Sequence, residues 1–231
     1  VGAKLKKLDE VIYVSAGEGT CSQGDFHEAL NWASRDKLPV VFVIENNSYA
    51  ISVHVSEQLG AKSVAALASN YENVHSTEVD GSDLTACVTA LQAAHDRARR
   101  GEGPSLIEAH VPRLLSHSIS DNHLKYRTKE DIAKEQKRCP IKRQRDILIK
   151  QKISSEKEIE ALNTLLKQMV DDACDAAERS PDPDPDTALL HNFKQPNPSD
   201  LIAEEPATGE DVFIVDAINH ALDEELARNP D

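Results

Sequence analysis

GEGTCSQGDFHEALNWAS (17–34) and KLPVVFVIENNSYAIS (37–52) carry the clearest structural pattern in the chain. The first stretch follows the apolar run Val11-Ile12-Tyr13-Val14, and the second contains another, Val40-Val41-Phe42-Val43-Ile44. Between them, Asp25 to Lys37 has the pattern of a helix. The order is strand, glycine turn, helix, strand, and such a unit builds a parallel sheet. The turn after the first strand and the asparagines after the second then share the carboxyl edge, where open α/β sheets bind ligands. Gly17 and Gly19 let the backbone approach phosphate oxygens with no Cβ in the way. Amides opening the next helix favour an anion. Glu18 and Asn47 offer hard oxygen donors of the kind Mg²⁺ takes alongside phosphate and water. The same letters also suit a plain strand–turn–helix with an ordinary tight turn. A dinucleotide fingerprint is excluded because Ser22 stands where the third glycine belongs, and no Walker lysine follows. His27-Glu28 is no zinc helix, since Asn31 holds the second histidine position.

Strands are expected near 11–15, 40–45, 74–79 and 105–111, and helices near 24–37, 62–70 and 83–100. This alternation gives an α/β class with a parallel sheet flanked by helices. The expected diphosphate-binding α/β domain is 1–128. Residues 129–180 switch to a helical extension, with Pro140 in a first turn. A long helix capped at Ser154-Ser155 follows, its apolar stripe running through Ile159, Leu162, Leu166, Met169 and Ala173. SPDPDPD (180–186) begins a stiff Pro/Asp-rich linker over 181–209. Residues 210–231 have an amphipathic helix pattern.

The 231 residues carry a net charge of −14, with 39% hydrophobic and 29% charged. That balance describes a water-soluble globular chain, and without a basic patch nucleic acid is not an expected partner. Apolar runs of about five residues are far short of a membrane span. Cys21, Cys87, Cys139 and Cys174 form no C-x-x-C pair, so zinc and a disulfide framework are not expected. Reduced thiols point to a cytoplasmic location. His117 sits in RLLSHSISD (113–121), after a strand that also ends at the ligand edge. Its imidazole could bind a diphosphate oxygen or donate a proton; a purely structural histidine is the alternative.

The acidic glycine turn followed some thirty residues later by paired asparagines resembles the thiamine diphosphate signature. GEGTCSQGDFHEALNWAS, KLPVVFVIENNSYAIS, SEQ (56–58), EVDGSD (78–83), GPSLIEA (103–109), RLLSHSISD (113–121) and YRTKEDI (126–132) together resemble the α part of the decarboxylating component of 2-oxo acid dehydrogenases. The likeness runs over roughly residues 8–180. Glu18, where most thiamine enzymes have Asp, is similar to the branched-chain members. Residues 210–231 resemble the opening of the β part, so a fused α–β polypeptide is expected, of which this chain is an internal piece.

The resemblance implies oxidative decarboxylation of a 2-oxo acid with acyl transfer to a lipoyl arm. Branched-chain substrates come first, pyruvate or acetoin second. It implies thiamine diphosphate and Mg²⁺ as cofactors. The metal would be held by Glu18, the Asn47 side chain and the Tyr49 carbonyl. Gly17 and Gly19 would line the diphosphate, with His117 at the phosphate or in acyl transfer. Arg113, Asp121, Tyr126 and Arg127 match loop positions, where an internal ion pair serves as well. Ser118 matches a position phosphorylated in animal relatives. Expected partners are the β part of the enzyme, a lipoyl-bearing acyltransferase and a further copy in a homo-oligomer. The glutamate that activates the cofactor is expected beyond Asp231, so the 231 residues alone are expected to be inactive. Two rivals remain: a transketolase-like enzyme, and a non-catalytic interaction module built on an exposed sheet edge.

Overall fold

In the computed structural model four strands form one wholly parallel sheet, β1 (Ile12–Gly17), β2 (Val40–Asn46), β5 (His75–Asp80) and β6 (Ser105–His110). Their spatial order is β1-β2-β6-β5. The structure describes residues 1–190 and 212–229. The linker expected over 181–209 therefore falls largely outside the described residues.

The β2 run is continuous in apolar residues because both faces of that strand are covered. Phe42 and Ile44, with Leu106 of β6, face α2 (Gly24–Arg35) and α3 (Val64–Ala68). Val41 and Ile107 face the opposite way, onto Ala94 of α4 (Leu84–Arg99). α2 buries Phe26, Leu30 and Ala33 along one stripe. Leu30, Ile44 and Leu106 are wholly buried, each stabilising the fold by about 1.5–3 kcal/mol relative to exposure. Helices thus lie on both faces of the sheet, as the alternation predicts.

Caps set the helix limits. Asp83 accepts the Ala86 amide at 3.0 Å and starts α4, which stops before Gly101 at φ +71°. Ser63 accepts the Ala66 amide at 3.0 Å and delays α3 to Val64. The expected helix over 62–70 is therefore shortened to five residues. Ser69 and Asn70 close its far end by bonding back to carbonyls of the same helix.

Two features escape the periodicity. A 3₁₀ turn, Glu18–Ser22, lies between β1 and α2, so the glycine turn is longer than a tight turn. A small antiparallel hairpin, β3 (Tyr49–Ala50) with β4 (Val53–His54), follows the paired asparagines. Both are too short to show a repeat.

Two compact units divide the chain, Val1–Ala161 and Leu162–Asp231. The first also holds α1 (Gly2–Leu5), α5 (Lys129–Lys137), α6 (Pro140–Lys150) and the start of α7 (Glu156–Glu178). Pro140 opens α6 as expected. Ser155 and Glu158 form a reciprocal cap: the Ser155 amide donates to Glu158 Oε2 at 2.8 Å, and the Glu158 amide to Ser155 Oγ at 3.3 Å. The second unit contains the rest of α7 and α8 (Ile214–Arg228). The apolar stripe of α7 is exposed at Leu162, Leu166 and Met169. Among the described residues no helix is long and apolar enough to cross a membrane.

Candidate active site

All four strands run parallel, so their carboxyl ends share one edge. Gly17 pairs with Glu45 and Asn46 with His110 in the ladders, which sets the Glu18 turn beside the Asn46-Asn47 exit. Glu18 is 1% exposed. Its Oε2 accepts the Asn47 amide at 3.2 Å. Its Oε1 is buried and has no hydrogen-bond partner. A buried carboxylate oxygen left unpaired is costly, and a cation answers that deficit. Asn47 Oδ1 accepts the Tyr49 amide at 3.2 Å and keeps a second lone pair. One carboxylate with amide and carbonyl oxygens is a hard donor set, suited to Mg²⁺.

The two glycines of the turn differ. A Cβ on Gly17 would meet nothing within 4 Å, while one on Gly19 would lie 2.6 Å from Ala50 Cβ. Gly19 is thus required by the β3–β4 hairpin pressing on it. Gln58 also borders this turn: its Oε1 lies 3.6 Å from the position of that added Cβ, and its Nε2 is a second buried polar atom without a partner. Within the turn, burial pushes the Cys21 thiol up to about 12, with Glu108 and Glu18 adding to the shift. Cys21 is therefore an inert thiol that donates to the Gly17 carbonyl at 3.7 Å.

The histidine loop is tied to the same hairpin. Asp121 Oδ2 accepts from the His117 amide at 2.9 Å, Arg113 Nη2 at 3.0 Å and the Tyr126 hydroxyl at 2.6 Å. The Tyr126 hydroxyl first, then the His117 amide, holds the Asp121 carboxyl below its usual value of 3.8. Arg113 Nη1 donates to the Ile51 carbonyl at 2.5 Å. Arg127 Nη1 donates to the Arg113 carbonyl at 2.9 Å. Arg113 and Arg127 stack over Tyr49, with guanidinium carbons 5.8 and 5.5 Å from the ring centre. Arg113, Asp121, Tyr126 and Arg127 are thus one network around Tyr49, and His117 is held through its backbone with its side chain exposed. Ser118 Oγ lies 3.1 Å from Ser120 Oγ.

Residues 1–186 match the dehydrogenase E1 component family. The chain belongs to this family. It is 35% identical over 189 residues to the 2-oxoisovalerate dehydrogenase subunit alpha of Bacillus subtilis, covering 82% of this chain and 57% of that protein. It is 37% identical over 202 residues to the 3-methyl-2-oxobutanoate dehydrogenase subunit alpha of Mycobacterium tuberculosis, covering 86% and 55%. A pyruvate dehydrogenase E1 component subunit alpha from Acholeplasma laidlawii is 40% identical over 164 residues, covering 68% and 46%. The chain spans about half the length of the curated relatives it matches.

In this E1 component chain, sequence reasoning overlooked Glu108 and the separate duty of Asn46. Glu108 is fully buried on β6, where it accepts Asn46 Nδ2 at 2.6 Å and the Ala65 amide at 2.7 Å. The signal was a carboxylate inside the apolar run Ser105-Leu106-Ile107-Glu108-Ala109, a residue type seldom fully buried unless paired. A separate cleft of about 850 Å³ lies at the end of β5, lined by Asp80, Ser82, Arg138, Lys142 and Arg143. Arg143 is neutralised there by Asp80 at 2.9 Å and Asp83 at 2.6 Å.

Proposed function

We propose that the protein is the thiamine diphosphate-dependent, decarboxylating component of a 2-oxo acid dehydrogenase. It acts on a branched-chain 2-oxo acid of the 3-methyl-2-oxobutanoate type and passes the acyl group to lipoamide. The observation that carries this reading is the buried Glu18 carboxylate with one oxygen unpaired, beside the open Gly17 turn. In this reading Glu18, the Asn47 side chain and the Tyr49 carbonyl hold Mg²⁺. The Gly17–Gly19 backbone lines the diphosphate. When bound, thiamine diphosphate supplies the electron sink for loss of CO₂. His117 binds phosphate or moves a proton during acyl transfer, and its loop takes its shape from Asp121.

Two relatives named for branched-chain 2-oxo acids favour a branched-chain substrate. Pyruvate is the second reading, supported by the Acholeplasma relative. The partners in this reading are a β part that completes the site, a lipoyl-bearing acyltransferase and a further copy of the enzyme. The compartment in this reading is the cytoplasm, where cysteines that form no C-x-x-C pair stay reduced.

Titration calorimetry of the full-length enzyme with thiamine diphosphate and Mg²⁺ tests the site. Removing a charged ligand from a buried site costs about 3–5 kcal/mol, so Glu18→Ala weakens binding by about 10² or more. An unchanged dissociation constant overturns the metal assignment. Turnover of 3-methyl-2-oxobutanoate against pyruvate decides the substrate.

A further inference from the structure

The chain leaves the sheet at Asn46 and returns to it at α3. Between these points lie Asn47, Tyr49 and Ala50, the residues that meet the Glu18 turn. One side chain holds both ends of this excursion. Glu108 Oε1 accepts from Asn46 Nδ2 at 2.6 Å, where the segment departs. Glu108 Oε2 accepts the Ala65 amide at 2.7 Å, where it comes back. Asn46 is thereby fixed in one orientation, and its Oδ1 accepts the Ser48 amide at 2.9 Å. Ser48 sits at φ +69° and Ile51 at φ +55°, conformations unfavourable for side chains other than glycine. Something outside the segment must hold it in that shape. The same turn aims the Asn47 amide at Glu18 Oε2.

We propose that Glu108 is a positioning residue for the diphosphate–metal site, clamping the Asn46–Ala65 excursion so that Asn47 and Tyr49 meet Glu18. This inference rests on the function proposed above for Glu18 and Asn47. Glu108 touches neither metal nor substrate in this role. It works because a carboxylate has two acceptor oxygens and both of its neighbours are donors. A glutamine of the same shape fails. Its amide would face either the Ala65 N–H or Asn46 Nδ2, donor against donor. Turning Asn46 over to relieve the second clash would set Nδ2 against the Ser48 amide and release the turn.

The test compares Glu108→Gln, Asn46→Ala and the double variant Glu108→Gln/Asn46→Asp in the full-length enzyme. The double variant restores the donor–acceptor order: the new carboxylate accepts the Ser48 amide and the new side-chain amide, whose oxygen accepts the Ala65 amide. Three quantities are read: hydrogen exchange at the Asn47 and Ser48 amides without cofactor, affinity for thiamine diphosphate with Mg²⁺, and melting temperature. Each of Glu108→Gln and Asn46→Ala is expected to speed exchange at 47 and 48 and weaken binding by about tenfold or more, the scale of one lost buried hydrogen bond to a charged group. The double variant is expected to recover both to within about threefold. Asn46→Ala leaves the Ala65 arm intact but also removes the acceptor of the Ser48 amide, so if Glu108→Gln does not fold, recovery in the double variant decides the matter. Parent-like exchange in Asn46→Ala overturns the proposal. So does a double variant that regains its melting temperature but not its exchange protection or affinity. If the parent enzyme binds no thiamine diphosphate, the functional reading fails, while the exchange data still decide whether Glu108 shapes the turn.

Discussion

Gly19 lies against Ala50, so close that a Cβ on Gly19 would fall 2.6 Å from Ala50 Cβ and 3.4 Å from its Cα. The acidic turn after β1 and the hairpin after β2 are therefore packed on each other with no room for a side chain. Gly17, two residues away, faces open space and has an ordinary extended backbone at φ −78°, ψ 160°.

Alanine substitutions at the two glycines should separate. Gly19→Ala overpacks the turn and is expected to cost about 1–3 kcal/mol in chemical denaturation. Gly17→Ala is expected to change stability by no more than about 0.5 kcal/mol, yet to weaken thiamine diphosphate binding by filling space the diphosphate needs. Equal stability losses at both positions would refute this division of roles.

Asp121→Asn should loosen the histidine loop. The single oxygen Asp121 Oδ2 serves three donors, and a neutral amide cannot accept all three as strongly. Proteolysis within 113–127 is expected to become several-fold faster, with the sheet unaffected by far-UV circular dichroism. A cleavage pattern identical to the parent's would show that the loop is held by Arg113 and Arg127 alone.

The pH response of this loop follows from the direction of the Asp121 shift. Its folded pKa is lowered, so the carboxylate's contribution is fully present above the usual value of 3.8. It is lost only as pH falls through the lower folded value. The amide resonance of His117 should report no Asp121 titration between about pH 5 and about pH 8, and should move at acid pH. In Asp121→Asn that acid step should vanish. A step persisting in the variant would assign it to another group.

His117→Ala should affect chemistry more than stability. Its side chain is exposed, and a surface change of this kind shifts stability by about 0.5 kcal/mol or less. Loss of a group that moves a proton lowers rate by about 10²–10⁴. Lipoamide-dependent turnover and melting temperature of the full-length enzyme are the two readings. Normal turnover with a much lower melting point would make His117 structural.

The amino-acid sequence marked out the four strands, the helices between them, and the two stretches that make up the candidate site. These are encoded locally. Unbroken apolar runs mark β1 and β2, a 3.6-residue repeat marks α2 and α4, and Asp83 and Ser155 write their caps within three residues of what they cap. Gly17, Glu18 and Asn47 were legible for the same reason: each follows directly on a strand end. The strand order β1-β2-β6-β5, the contact of Gly19 with Ala50, and the network of Arg113, Asp121, Tyr126 and Arg127 around Tyr49 came from long-range packing alone. So did the clamp of Glu108 on Asn46, 62 residues away, and on Ala65, 43 residues away. No local repeat encodes such pairs. The Glu108 clamp forms when the sheet buries that carboxylate, because a charge removed from water is costly unless packing brings polar partners to it, and here donors reach both of its oxygens.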